Sequence, residues 1–263
     1  MQKRFQALSD RQWELIKQFF ATKRTRKYSL RRIWDAIRYI TRCGIQWRNL
    51  PTCFPPYQTV YYYFRKWKNN GFLEELNEKI NRIERRILPN RADSPSLLLV
   101  DSQSVRLAPF MDQARGLDAN KKINGRKRTI ITDVLGRVWR CGVHAANVAD
   151  GKAGIDVIEP DLRTQMERVE KILRDNAYNG VFAERVNGEI GIIFEKSKRQ
   201  EGKRGFVPEV KRWVVERSFA WMNFYRRLVK DYERTVESSE MFVYMANIEM
   251  TLTAIDQNTK LSF

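Results

Sequence analysis

Three carboxylates stand where ordered elements could present them to one point. Asp101 closes the apolar run SLLLV, Asp175 closes EKILR, and Glu216 lies inside WVVERSFAWM, a helical pattern studded with Val, Phe, Trp and Met. At 100° per residue Glu216 shares a face with Trp213, Phe219 and Ala220, so an inward-facing carboxylate is expected. A carboxylate among aromatics is costly unless it is paired or metal-bound. An ion pair with Arg212, four residues back, is the plainer alternative. Three converging carboxylates repel one another unless divalent cations stand between them. Two such ions about 3.5–4 Å apart suit phosphodiester cleavage, one activating a water or 3′ hydroxyl and the other stabilising the leaving oxygen.

The remaining ligand types narrow the metal. The chain has one histidine, His144, and three scattered cysteines, Cys43, Cys53 and Cys141, with no CxxC pair. A zinc site needs more His or Cys than that. A metal here must be held by oxygen, which favours Mg2+ or Mn2+. The same cysteines suit reduced thiols and a cytoplasmic setting. The opening MQKRFQALSD lacks the apolar stretch of a signal peptide, and SLLLV is far too short to span a membrane.

The carboxylates need a scaffold, and the pattern after residue 95 supplies an α/β one. SLLLVDSQSV is expected to be a buried strand, and RKRTIITDVLGRVWRCGVHAAN two strands joined near Leu135-Gly136. A modest helix over GKAGIDVIEPDLRT, a strand over RVEKILRD, a short helix over VFAERV and a strand over EIGIIFEKS follow. KRQEGKRG reads as a basic loop before the helix of Glu216. The tail from Ser239 places Met241, Met245, Ile248, Leu252 and Ile255 on one face of a last helix. If the first strand and the one ending at Asp175 are sheet neighbours, both aspartates meet, and a helix across the sheet can add Glu216.

The front of the chain is of another kind. The net charge is +18, and residues 1–70 hold 16 Lys and Arg against 3 acids, Asp10, Glu14 and Asp35. A field so strong attracts polyanions. Ser9 with Gln12 has capping-box spacing, and Ser29 can cap a second helix that Gly44 stops. A Pro-broken stretch leads to a third helix from Thr59, with Val60, Phe64 and Trp67 inward. Three short helices, the last basic and aromatic, suit a helix-turn-helix domain over 1–72. Arg48, Gln58, Thr59, Tyr62, Arg65, Lys66 and Lys68 are its candidate DNA contacts, Arg and Gln being able to engage base edges. Residues 73–95 read as a connecting helix and linker: Leu73, Leu76, Ile80, Ile83 and Ile87 form a heptad-like seam, and PNRADSP follows. Residues 96–263 then form the catalytic unit. Within it, NKKINGRKR offers Lys121, Lys122, Arg126, Lys127 and Arg128 as phosphate contacts. His144 and Asn147 of HAANVAD are expected near the carboxylates.

These motifs resemble bacterial insertion-sequence transposases of the DDE type, the large family named for the fifth catalogued element. LSDRQWELI, GIQWRNLP, FPPYQTVYYYFRKW, LLLVDSQSV, HAANVAD, DNAYNG and WVVERSFAWMNFYRRLVKDYE carry the likeness from residue 8 to residue 233. The resemblance implies a ribonuclease-H-like mixed sheet with flanking helices behind a helix-turn-helix front. It also implies a magnesium-dependent triad, which falls by motif on Asp101, Asp175 and Glu216. Two departures stand out. Arg174, Asn176 and Ala177 replace the small residues usual around the second aspartate. Of a Tyr-Arg-Glu-Lys signature, Arg212 and Glu216 fit, while Glu209 and Asn223 hold the Tyr and Lys positions. The expected activity is binding of an element's terminal inverted repeats, cleavage and strand transfer, with a homodimer in the synaptic complex. A catalytically silent DNA-binding derivative and a nuclease that cleaves without joining are the alternatives.

Overall fold

In a computed structural model of the 263-residue chain, the structure describes residues 5–20, 25–158, 162, 166–175, 178, 183–184, 186–196 and 212–260. The basic loop expected over KRQEGKRG, and with it Glu209, lies outside the described residues.

Local chemistry sets the first elements. Ser9 accepts from the Gln12 N–H at 3.1 Å and Gln12 accepts from the Ser9 N–H at 3.2 Å, a capping box that starts α1 (Asp10–Lys17). Ser29 caps α2 (Leu30–Cys43), and Gly44, at φ +69°, ends it by donating to the Ile40 carbonyl. A 3-10 turn (Trp47–Asn49) and three prolines separate α2 from α3 (Tyr57–Asn69), a longer connection than a tight turn between helices. Gly71, at φ +71°, caps the start of α4 (Phe72–Ile87). These four helices form an all-helical region at the front of the chain.

The sheet follows: β1 (Leu97–Arg106), β2 (Gly116–Asp118), β3 (Ile123–Asp133), β4 (Val138–Ala145), β5 (Lys171–Arg174) and β6 (Ile193–Lys196). β1 pairs antiparallel with β3 and parallel with β5; β4 and the short β2 pair with β3, and β6 lies parallel beyond β5. α5 (Asp150–Ile158) precedes β5, a single π-turn (Val186–Ile190) precedes β6, and α6 (Arg212–Met222), α7 (Arg226–Val229) and α8 (Val236–Lys260) close the chain. The expected strands all form, and β2 is the element that the hydrophobic pattern does not reveal. The first strand runs through Asp101 to Arg106, with β3 paired to it from Leu98 onward.

Two apolar clusters cover the two faces. Leu98 and Val100 of β1 join Ile131, Trp139, Val157 and Ile172 on one side. Leu99, with Ile130, Leu173, Val215 and Phe219, joins the larger cluster on the other, which also contains the buried residues of α2, α3, α4 and α8. The front helices therefore share a core with one face of the sheet. α4 contributes to this core. Its Leu73, Leu76 and Ile80 are buried, and its seam packs on α8 of the same chain. A polar seam runs beside it: Asn77 and Asn81 each donate to the Val138 carbonyl at 2.8 Å, and Glu84 takes a two-pronged bond from Arg137 at 2.6 and 2.8 Å. The 89–95 stretch is tied to the same helix, Arg85 donating to the Ala92 carbonyl and Arg86 pairing with Asp93.

Candidate active site

Strand register brings the first two carboxylates together. β1 and β5 run parallel with Leu99 opposite Leu173, and that is their last paired position. Asp101 and Asp175 each stand two residues further on, so alternation keeps both on the face of Leu99 and Leu173. Adjacent parallel strands lie about 4.8 Å apart. Both aspartates line one cleft with Leu99, Leu173, Arg174 and Val215. The Ser102 N–H donates to Asp101 Oδ1 at 2.7 Å, and Arg174 donates to the Asp175 carbonyl at 3.1 Å.

α6 crosses this face, and its place follows from its own stripe. Val215, Ser218, Phe219 and Met222 are buried, an i, i+3, i+4, i+7 pattern. Val215 enters the aspartate cleft, and Glu216 is the next residue. This corrects the inward-facing Glu216 expected from the helical wheel. The buried stripe is centred one position away, so Glu216 is exposed, as is Trp213 at 48%. Among the described residues, no three His, Cys, Asp or Glu side chains are gathered closely enough to hold a metal ion together. The structure thus brings Asp101 and Asp175 into one cleft, and carries Glu216 on the helix that covers that cleft.

A fourth acid and a phenol belong to the same end of the sheet, and sequence reasoning missed both. Asp150, first residue of α5, accepts from the Ser102 hydroxyl at 2.8 Å and pairs with Lys127 at 2.8 Å. Tyr178 is buried, and its acidity is suppressed well beyond the usual phenol range. Burial is the main cause, followed by the negative charges of Asp101 and Asp150, with a smaller contribution from Asp175; a bond with Ser102 opposes them. One buried phenol therefore senses three carboxylates. The signals were present, Asp150 as the last residue of HAANVAD and Tyr178 within DNAYNG, but no periodicity sets either apart. Asp101 and Asp175, two carboxylates on one cleft, offer oxygen donors of the kind a hard divalent cation takes.

His144 falls elsewhere. It pairs with Lys127 across β3 and β4 and lines a separate cleft with Glu74, Glu78, Asp156 and Glu240. Desolvation, then Lys127, lowers its pKa to about 4. Asn147 packs against Gly116 of β2.

The candidate DNA contacts divide. Arg48, Gln58, Tyr62, Arg65 and Lys66 are exposed, and Thr59 is half-buried. Arg65 lies over the Tyr61 ring at 6.0 Å. Lys68 is half-buried within electrostatic reach of Glu237. Lys121 and Lys122 are exposed on the β2–β3 turn. Arg126, Lys127 and Arg128 are not on the surface, which overturns their expected role at phosphates. Arg126 has no exposure and donates to Asp231 at 3.2 Å and to the carbonyls of Gln113 and Glu233. Arg128 donates to the Leu228 carbonyl at 2.6 Å, and Lys127 is held by Asp150 and the Val148 carbonyl. The run reads as a basic patch, but it lies in β3, a central strand whose both faces are covered.

Comparison with known proteins agrees with this architecture. A family model described as Transposase DDE domain matches residues 92–248, more than half of the chain. A second, described as a transposase of IS4/5 family, matches residues 8–77. No curated protein and no solved structure matches the chain.

Proposed function

This chain belongs to the DDE transposases, enzymes that act on DNA through a ribonuclease-H-like domain, and on that premise we propose that it binds the terminal inverted repeats of an insertion sequence, cleaves at their ends and joins the freed ends to target DNA. The observation that carries the reading is the shared cleft of Asp101 and Asp175 at matching positions of two parallel strands, covered by the helix of Glu216.

DDE domains generally use divalent metal ions. Asp101 and Asp175 would hold two Mg2+ or Mn2+ ions from the sheet, and Glu216, exposed beside Val215 of that cleft, would complete the set once α6 turns it toward the aspartates. Bound there, the ions would supply Lewis-acid stabilisation of a phosphodiester and a water of lowered pKa. The chain's own residues do the rest. Ser102 ties Asp150 to the sheet beside Asp101. Lys121 and Lys122 contact phosphates, and the exposed face of α3, with Gln58, Tyr62, Arg65 and Lys66, enters a groove and reads base edges. Hydrolysis at the element end releases a 3′ hydroxyl. That hydroxyl attacks a target phosphodiester, forming one P–O bond as another breaks, so joining needs no external energy source. Two ends are held by a homodimer, working on bacterial DNA in the cytoplasm.

The test combines protein, Mg2+, a pre-cleaved end duplex and a target plasmid. Joined product is the expected outcome; hydrolysis without joining would make the protein a nuclease. Asp101→Asn, Asp175→Asn and Glu216→Gln each lower joining by about a hundred- to a thousandfold, the scale of losing an electrostatic catalytic group, and leave end binding intact. Robust activity in any one of them removes that residue from the triad.

A further inference from the structure

The segment between β1 and β2 is built to present one aromatic ring to solvent. Phe110 is 94% exposed and has a φ of +66°, in the left-handed region that a bulky side chain rarely occupies. Ala114, in the same segment, has a φ of +54°. Such strain persists only where the surroundings impose it, and here they do. The Arg115 guanidinium donates to the Met111 carbonyl at 2.8 and 3.1 Å and to the Ala108 carbonyl at 3.0 Å. From beneath, Arg126 donates twice to the Gln113 carbonyl, at 2.8 and 3.1 Å, and the Ala108 N–H donates to the Asp231 carbonyl at 2.8 Å. The ring is therefore held out by a braced loop, at a cost in both strain and apolar exposure.

Exposed cations flank the segment that carries Phe110 in sequence. Arg106, Arg115, Lys121 and Lys122 are all exposed around the ends of β1 and β2. Of the nearby acids, Asp118 is buried and occupied by the Ser104 hydroxyl and two turn N–H groups, while Asp112 is exposed. A braced aromatic tip on a segment flanked by Arg106 and Arg115, on a chain of net charge +18, matches a duplex: phosphates meet the cations and the ring meets a base step.

We propose that residues 107–115 form a DNA wedge whose Phe110 ring inserts into the base stack of the bound duplex. This rests on the reading of the protein as a binder of its element's ends. Partial unstacking is offset by the interactions that the ring and its flanking cations make with the opened step. Phe110 positions DNA and takes no part in the chemistry.

The test uses the full chain and the terminal-repeat duplex of the element that encodes it, with 2-aminopurine walked along one strand. Wild-type protein is expected to raise the fluorescence at one or two adjacent positions. Phe110→Ala abolishes that rise and weakens binding roughly tenfold, the scale of removing one base–aromatic stack, while the melting temperature stays unchanged; Phe110→Trp restores both. Wild-type affinity and an unchanged fluorescence rise in Phe110→Ala overturn the wedge and leave end binding standing. A change of oligomeric state in Phe110→Ala, with the fluorescence rise intact, also overturns it and makes the ring a protein contact. Failure of the wild-type chain to bind the duplex at all removes the wedge together with the DNA reading it rests on.

Discussion

Two basic runs look alike in this chain and serve opposite ends. Arg65, Lys66 and Lys68 punctuate α3, and Arg126, Lys127 and Arg128 follow one another in β3. On α3 the apolar residues Val60, Phe64 and Trp67 take the buried face, so Arg65 and Lys66 remain in water. In β3 both faces are covered, so consecutive side chains have no exposed side to take. Their charges are met instead by Asp231, Asp150 and main-chain carbonyls. Lys121 and Lys122, a few residues before the buried trio, lie on a turn and keep their exposure. Basic composition therefore identifies a polyanion binder, while the element type decides which cations reach the polyanion.

The contrast can be broken or sharpened experimentally. The largest effect is expected from Arg126→Ala. It deprives the fully buried Asp231 of its nearer cation, a destabilisation of about 3–5 kcal/mol, readable in urea unfolding; a variant as stable as wild type would mean that Arg126 is solvated after all. Next come Arg65→Ala and Lys66→Ala. Each is expected to change stability by less than about 0.5 kcal/mol. Each should also reduce the slope of log affinity against log salt by about 1, as befits one phosphate no longer neutralised. Unchanged salt slopes in both would take α3 away from the DNA. Lys121→Ala with Lys122→Ala should behave like the α3 variants and unlike Arg126→Ala, with a smaller drop in affinity because the turn contacts phosphate without reading bases.

Two further groups line one cleft, and their contributions to stability run in opposite directions with pH. His144 has a pKa lowered to about 4 by burial and then by Lys127. The unfolded chain takes up its proton first, so this contribution to stability is present above about pH 6.5 and lost as pH falls toward 4. Glu240 has a pKa raised to about 7, chiefly by burial. Its contribution is present below about pH 4.5 and lost as pH rises through 7. Glu240→Gln, which still accepts the Val143 N–H, should therefore gain in melting temperature over wild type between pH 5 and 7.5. His144→Gln should gain over the same baseline as pH falls from 6.5 to 4. A constant difference across pH in either variant would contradict the corresponding shift.

Much of the scaffold was legible because it is local. The capping box at Ser9 and Gln12, the stop at Gly44, the turn at Gly136 and the buried stripe of α8 depend on residues within a few positions of one another. The heptad-like seam of α4 was legible too, but its partner was not: the asparagines that bind the Val138 carbonyl meet it across about sixty residues of chain. The missed Asp150 and Tyr178 are of the same kind, since each matters through interactions made at a distance in sequence.

Sequence alone placed two aspartates after apolar runs and a glutamate on a helical pattern, and determined how strongly basic the chain is and that any metal would need oxygen ligands, because those follow from residue identity and period. Tertiary structure decided that Leu99 stands opposite Leu173, so that Asp101 and Asp175 share a cleft, and that α6 turns Glu216 outward by one position. It also decided that three of the expected phosphate contacts are interior ion pairs. Register, helix rotation and burial are set by packing between distant segments, and no local pattern encodes them.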